Sequence, residues 1–200
     1  MSGAETMASF VVTLKKVAAI LRDEEIPFAL GGGLAAWARG GPETDHDVDF
    51  FVKPEDALRA QEALVEHGGM QPERPPEDWL LKVRDGDVVV DLVFRPSGGP
   101  VTDAWLERAD ERELMAMRLP ILSLEDVMST KLLALREQEP DFGQVLKIAR
   151  ALREQIPWER VRTRTEHSPW ALAFFTLVEG LGIVESVGEP MVPPRAPSFT

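Results

Sequence analysis

Three aspartates are the residues in this chain best suited to chemistry. Asp47 and Asp49 are separated by one residue and lead into the apolar run Phe50-Phe51-Val52. Side chains alternate along a strand, so Asp47 and Asp49 share one face while Val48, Phe50 and Val52 point to the other. Two carboxylates this close repel each other unless a cation lies between them, and oxygen ligands suit Mg²⁺. The third, Asp91, interrupts the apolar run from Val88 to Phe94. A carboxylate there is costly unless it is satisfied. If its strand lies beside the first, Asp91 completes a three-carboxylate cluster of the kind that supports a two-metal in-line displacement.

Upstream, Gly31-Gly32-Gly33 follow the short apolar stretch Phe28-Ala29-Leu30. A helix over residues 34–39 is expected to follow, ended by Gly40-Gly41-Pro42. The glycines then occupy a strand-to-helix turn, where unpaired N–H groups favour an anion. Gly32 and Gly33 are thus candidates for phosphate contact, and the turn and carboxylate strand together suit a nucleotide and its metal.

The run from Gly32 to Val52 resembles the signature of the nucleotidyltransferase superfamily, which has the DNA polymerase β-like fold. The matching residues are Gly32-Gly33-Leu34-Ala35, Gly40 and His46-Asp47-Val48-Asp49. The nearest branch by this pattern is that of the AbiEii-type toxins and small bacterial nucleotidyltransferases. The resemblance implies an enzyme that moves a nucleoside monophosphate from an NTP to an acceptor hydroxyl. Asp47 and Asp49 would bind both Mg²⁺ (or Mn²⁺) ions. Asp91 would bind the nucleophile-side ion and help deprotonate the acceptor. The acceptor would be a tRNA end, a protein or a small molecule, and an antitoxin is a conceivable partner. That branch usually carries an arginine shortly before the Asp-x-Asp pair; Glu43 holds that place here, with Arg39 upstream. This departure motivates the alternative of a weakened or inactive nucleotide-binding module acting through a partner protein.

Lys131 has two readings. It shares a helix with Val127, Ala134 and Leu135, where a lysine can extend harmlessly to solvent. The resemblance offers a role in phosphate binding. Asp141 reads as a helix N-cap.

The 200 residues, 44% of them hydrophobic, are enough for a core and for one or two small domains. Cysteine is absent, which excludes disulfides and thiolate metal sites and fits a cytoplasmic location. No signal peptide is expected at the N-terminus. The apolar run from Trp170 to Val178 is far shorter than the ~20 residues that cross a bilayer. A net charge of −12 disfavours general binding to nucleic acid. Arg160, Arg162 and Arg164 form the best basic cluster and read as a solvated helix face.

The expected fold class is α+β: a nucleotidyltransferase-like mixed sheet with flanking helices, followed by a small helical bundle. Helices are predicted over residues 4–22, 54–67, 123–135, 141–154, 158–166 and 168–181. Strands are predicted over 48–52, 79–84 and 87–94, the last two joined as a hairpin at Asp85-Gly86. Residues 101–112 carry no clear signal, and a short strand is expected near Pro120. The domain division is a catalytic core over 1–100, a helical region over 101–184 and a disordered tail over 185–200.

Overall fold

The computed structural model describes residues 3–44, 48–136 and 140–185. Asp47 and the expected tail beyond Glu185 lie outside the described residues. Eight helices and seven strands are described: α1 (Gly3–Asp23), β1 (Phe28–Leu30), α2 (Gly32–Trp37), β2 (Val48–Val52), α3 (Ala57–Glu66), β3 (Gln71–Glu73), β4 (Leu80–Asp85), β5 (Val88–Val93), α4 (Asp103–Glu107), β6 (Asp110–Leu114), β7 (Met117–Ile121), α5 (Leu124–Ala134), α6 (Phe142–Leu152), α7 (Trp158–Thr165) and α8 (Pro169–Gly180).

The strands form one mixed sheet in the order β3-β4-β5-β2-β1-β7-β6. Two pairings, β2 with β5 and β1 with β7, are parallel, and the other four are antiparallel. Central strands of this kind must be apolar on both sides except where a site opens. β2 and β5 follow that rule, with Val48, Phe50, Val90 and Leu92 fully buried. These residues join Leu14, Val17, Leu21 and Leu64 of α1 and α3 in one apolar cluster. A second cluster unites α5, α6, α7 and α8 around Met128, Phe174 and Phe175.

The expected hairpin is present, but Asp85 pairs with Val88, so its two-residue loop is Gly86-Asp87, one residue later than expected, with Gly86 at φ +62°. Ser123 caps α5 by accepting a hydrogen bond from the Asp126 N–H at 3.1 Å. Asp141 caps α6 by accepting from the Gly143 N–H at 2.7 Å. One expectation needs correction. Residues 101–184 are not wholly helical, because β6 and β7 form a hairpin that extends the sheet. Its turn at Met115-Ala116 holds φ of +49° and +59° without a glycine. Strand β3 was likewise not expected; it is short and largely exposed at the sheet edge.

Candidate functional site

The site begins with strand register. β2 and β5 run parallel with Asp49 directly beside Asp91. Neighbouring strands lie about 4.8 Å apart, so the two carboxylates start from adjacent positions on one face of the sheet. That face is opposite the one carrying Val48 and Phe50 into the apolar cluster. Across the next strand, Lys82 of β4 stands opposite Asp91. Its Nζ donates to Asp91 Oδ2 at 3.1 Å and lies 3.0 Å from Oδ1. Asp91 is 7% exposed, so a positive partner is what makes its burial tolerable. The result is a row of charges, Asp49–Asp91–Lys82, on three successive strands.

The glycine turn packs onto this row. The Gly31 N–H donates to the Asp49 carbonyl at 3.0 Å, which fixes the turn against β2. Gly32 has φ +54°, and a Cβ there would lie 1.8 Å from Asp49 Oδ2. Only glycine lets the backbone turn and the Asp49 carboxylate share this space. At Gly33 a Cβ would lie 2.7 Å from Thr44 Oγ1, so that position also needs a small residue.

Two cavities flank Asp49. One, of about 370 Å³, is lined by Gly33, Glu43, Thr44, Lys131 and Lys147. The other, of about 580 Å³, takes in Gly32, Glu77, Asp78, Trp79 and Arg95. Lys131, at the end of α5, thus lines both cavities beside Asp49. Lys147 was missed from the sequence. It lies with Gln144 on the edge of α6 that borders the buried Ile148, and no local motif marks it. Two ammonium groups and two carboxylates, Asp49 and Glu43, around one cavity can accept a polyanion together with a cation.

The sequence-predicted residues divide as follows. Gly32, Gly33, Asp49 and Lys131 come together, and Asp91 stands beside Asp49. Asp47 lies outside the described residues, and among the described residues no group of three metal-ligating side chains forms. Arg39 is not at the site. It is 8% exposed and bonds the Leu122 carbonyl at 2.7 Å and Asp110 at 2.8 Å. Burial pushes its pKa down, against the pull of Asp110.

The Arg160, Arg162, Arg164 cluster is not the solvated face expected of it. Arg164 bonds Asp126 at 2.6 Å and Glu125 at 3.2 Å. Arg162 pairs with Glu179 and covers the Phe175 ring at 4.1 Å from its centre. Arg160, the most exposed of the three, lies 3.6 Å from Glu125. Asp126 itself is fully buried and also receives Arg108 at 2.8 Å and the Ser123 hydroxyl at 2.6 Å. Burial raises its pKa, but the hydrogen bonds from Arg108, Arg164 and Ser123 outweigh this and leave it below the usual carboxylate range.

This arrangement is similar to solved structures of low sequence identity. One is the antibiotic-resistance factor ANT(2'')-Ia in solution, 18% identical, with 88% of this chain and 96% of that chain covered and a TM-score of 0.62. The crystal structure of ANT(2'')-Ia with adenylyl-2''-tobramycin is also 18% identical and gives a TM-score of 0.61 over 84% of this chain and 97% of that one. A Thermotoga maritima protein described as a candidate nucleotidyltransferase is 18% identical over 66% of this chain and 86% of that one, with a TM-score of 0.50. These likenesses establish the fold. No curated protein matches the sequence. The family model described as "nucleotidyl transferase of unknown function (DUF2204)" matches residues 11–170, so the chain belongs to that family and is a nucleotidyltransferase.

Proposed function

We propose that this protein transfers a nucleoside monophosphate from an NTP to an acceptor hydroxyl, releasing pyrophosphate. The observation that carries the reading is the register of Asp49 beside Asp91, with Lys131 and Lys147 around the adjoining cavity. Asp49 and Asp91, with Asp47 two residues upstream in the sequence, would hold Mg²⁺ or Mn²⁺. The donor set fits such an ion: carboxylate oxygens on one face, backed by a glycine turn that leaves no room for a side chain. Bound there, the ion would neutralise charge on the triphosphate and favour attack on the α-phosphorus.

The chain's own residues supply the rest. Lys131 and Lys147 would balance triphosphate charge, and Gly33 would allow phosphate to approach the backbone. The catalytic core is proposed at residues 1–100, with both lysines drawn from the helical region that follows it. Asp91 would accept the proton of the acceptor hydroxyl.

The relative bound to adenylyl-2''-tobramycin suggests a small cationic acceptor. Glu77 and Asp78 beside Asp49 agree with that, and the net charge of −12 disfavours RNA. A second reading, the finer placement beside the AbiEii-like toxins with a tRNA or protein acceptor and an antitoxin partner, rests on Gly32-Gly33-Leu34-Ala35 and the Lys131 helix alone; a cytoplasmic location is proposed from the absence of cysteine. Among the described residues no helix is long and apolar enough to cross a membrane. Incubation with each α-labelled NTP, Mg²⁺ and a panel of aminoglycosides, tRNAs and proteins tests the reading. Label on one acceptor with pyrophosphate release supports it. Absence of transfer together with absence of NTP binding contradicts it.

A further inference from the structure

Lys82 sits on a carboxylate that the proposed function assigns to a metal ion. It stands in register with Asp91, and its Nζ lies within 3.1 Å of both carboxylate oxygens. Asp91 is nearly buried, whereas the Lys82 side chain keeps 23% exposure. Two positive groups cannot both occupy the oxygens of one carboxylate without strong repulsion, which a partly buried site screens poorly. A divalent ion that ligates Asp91 must therefore displace the ammonium. Lysine suits that exchange. Its charge is compact, it sits on a flexible four-carbon stem, and its exposed part gives it a way out. Arg84, the next residue on this face of β4, is tied to Glu73 at 2.5 Å and offers Asp91 no ready substitute.

We infer that Lys82 is the resident cation of this site, holding Asp91 and keeping a divalent ion off it until the ammonium is displaced. Metal then loads in two unequal steps. The first ion binds at Asp49 without disturbing Lys82. The second binds at Asp91 only at the expense of the ion pair. The inference rests on the proposed metal site at Asp49 and Asp91. A lysine with a merely structural cross-strand role would leave metal stoichiometry untouched.

The test is a Mn²⁺ titration of the full-length protein without nucleotide, read by electron paramagnetic resonance and calorimetry. The wild type should bind one ion tightly and a second at least about tenfold more weakly, given the charge that must be displaced. Lys82→Met should tighten the second ion by at least about tenfold, a shift in Kd set by the same charge term. Lys82→Arg, which keeps the charge but is a less readily displaced partner, should weaken the second ion further than in the wild type. If Lys82→Met does not fold, the wild type and Lys82→Arg decide the matter. Two equivalent tight ions in the wild type, or in Lys82→Arg, overturn the role of Lys82 and leave the metal site standing. No Mn²⁺ bound to any folded protein overturns both.

Discussion

Two nearly buried aspartates, Asp126 and Asp91, show how different surroundings turn the same side chain to different ends. Asp126 is fully enclosed and receives Arg108, Arg164 and the Ser123 hydroxyl. Arginine is planar, always charged and fixed in its fork geometry, so this junction is saturated and rigid. It pins α7 to the first turn of α5 and to the segment after α4. Asp91 instead faces a lysine and lies in register with a second carboxylate, Asp49, which opens onto two cavities. A flexible ammonium is a partner that can be exchanged. One aspartate is built into the scaffold, and the other is the one proposed to take a ligand.

The largest effect should come from the open region. Asp49→Asn keeps the volume and removes one ligand charge. Nucleotidyl transfer should fall by about three orders of magnitude or more, while the melting temperature holds or rises as carboxylate repulsion is relieved. Undiminished transfer by the variant would remove Asp49 from the chemistry. The opposite pattern is expected at the closed junction. Asp126→Ala strands two arginines and should cost about 3–5 kcal/mol in urea unfolding. A loss below about 1 kcal/mol would show that the junction is not structural.

The two regions also differed in how far the sequence revealed them. Strand β2, the glycine turn and the β4–β5 hairpin were legible, because alternation, the glycine run and the Asp85-Gly86 pair are local signals. The neighbouring position of Lys82 was not: a turn at Asp85-Gly86 would pair residue 82 with residue 89, whereas the loop is Gly86-Asp87 and puts residue 82 opposite residue 91. The Asp126 junction was not legible. Its arginines come from 18 and 38 residues away, and helical spacing alone made Arg160, Arg162 and Arg164 look like a solvated face. The β6–β7 hairpin was hidden for a different reason. Its turn uses Met115 and Ala116 in the left-handed region, where Asn-Gly or Gly-Gly is the usual signal. Lys147 reaches the cavity only through the packing of α6, which no local pattern encodes.

Smaller effects sharpen the contrast. Gly32→Ala places a methyl group against the Asp49 carboxylate at a left-handed φ. It should cost about 1–2 kcal/mol in stability and weaken NTP binding more than it weakens folding. Normal calorimetric NTP affinity in the folded variant would show that the Gly32–Asp49 contact is dispensable. A pH scan separates the regions again. Asp126 is held below the usual carboxylate range by its hydrogen bonds. A depressed folded-state pKa contributes stability above the unfolded value, near pH 4, and that contribution is lost as pH falls through the folded value. Asp126→Asn should therefore be less stable than the wild type at neutral pH, with the gap narrowing below about pH 4. A constant gap would exclude the linkage. Lys131→Ala should raise the KM for NTP by about tenfold with little change in the melting curve, as expected for one lost charge-assisted contact.

The most direct test needs no knowledge of the acceptor. The wild type and Asp49→Asn are melted with and without saturating Mg²⁺ and each NTP. At about a hundred times Kd, linkage contributes about 2.7 kcal/mol, or a rise of roughly 5–10 °C for a chain of this size. The wild type should show that rise with at least one NTP, and Asp49→Asn should lose most of it. Equal melting temperatures with and without ligand in the wild type, or an equal rise in both proteins, would contradict the assignment of this face of the sheet as the metal–nucleotide site.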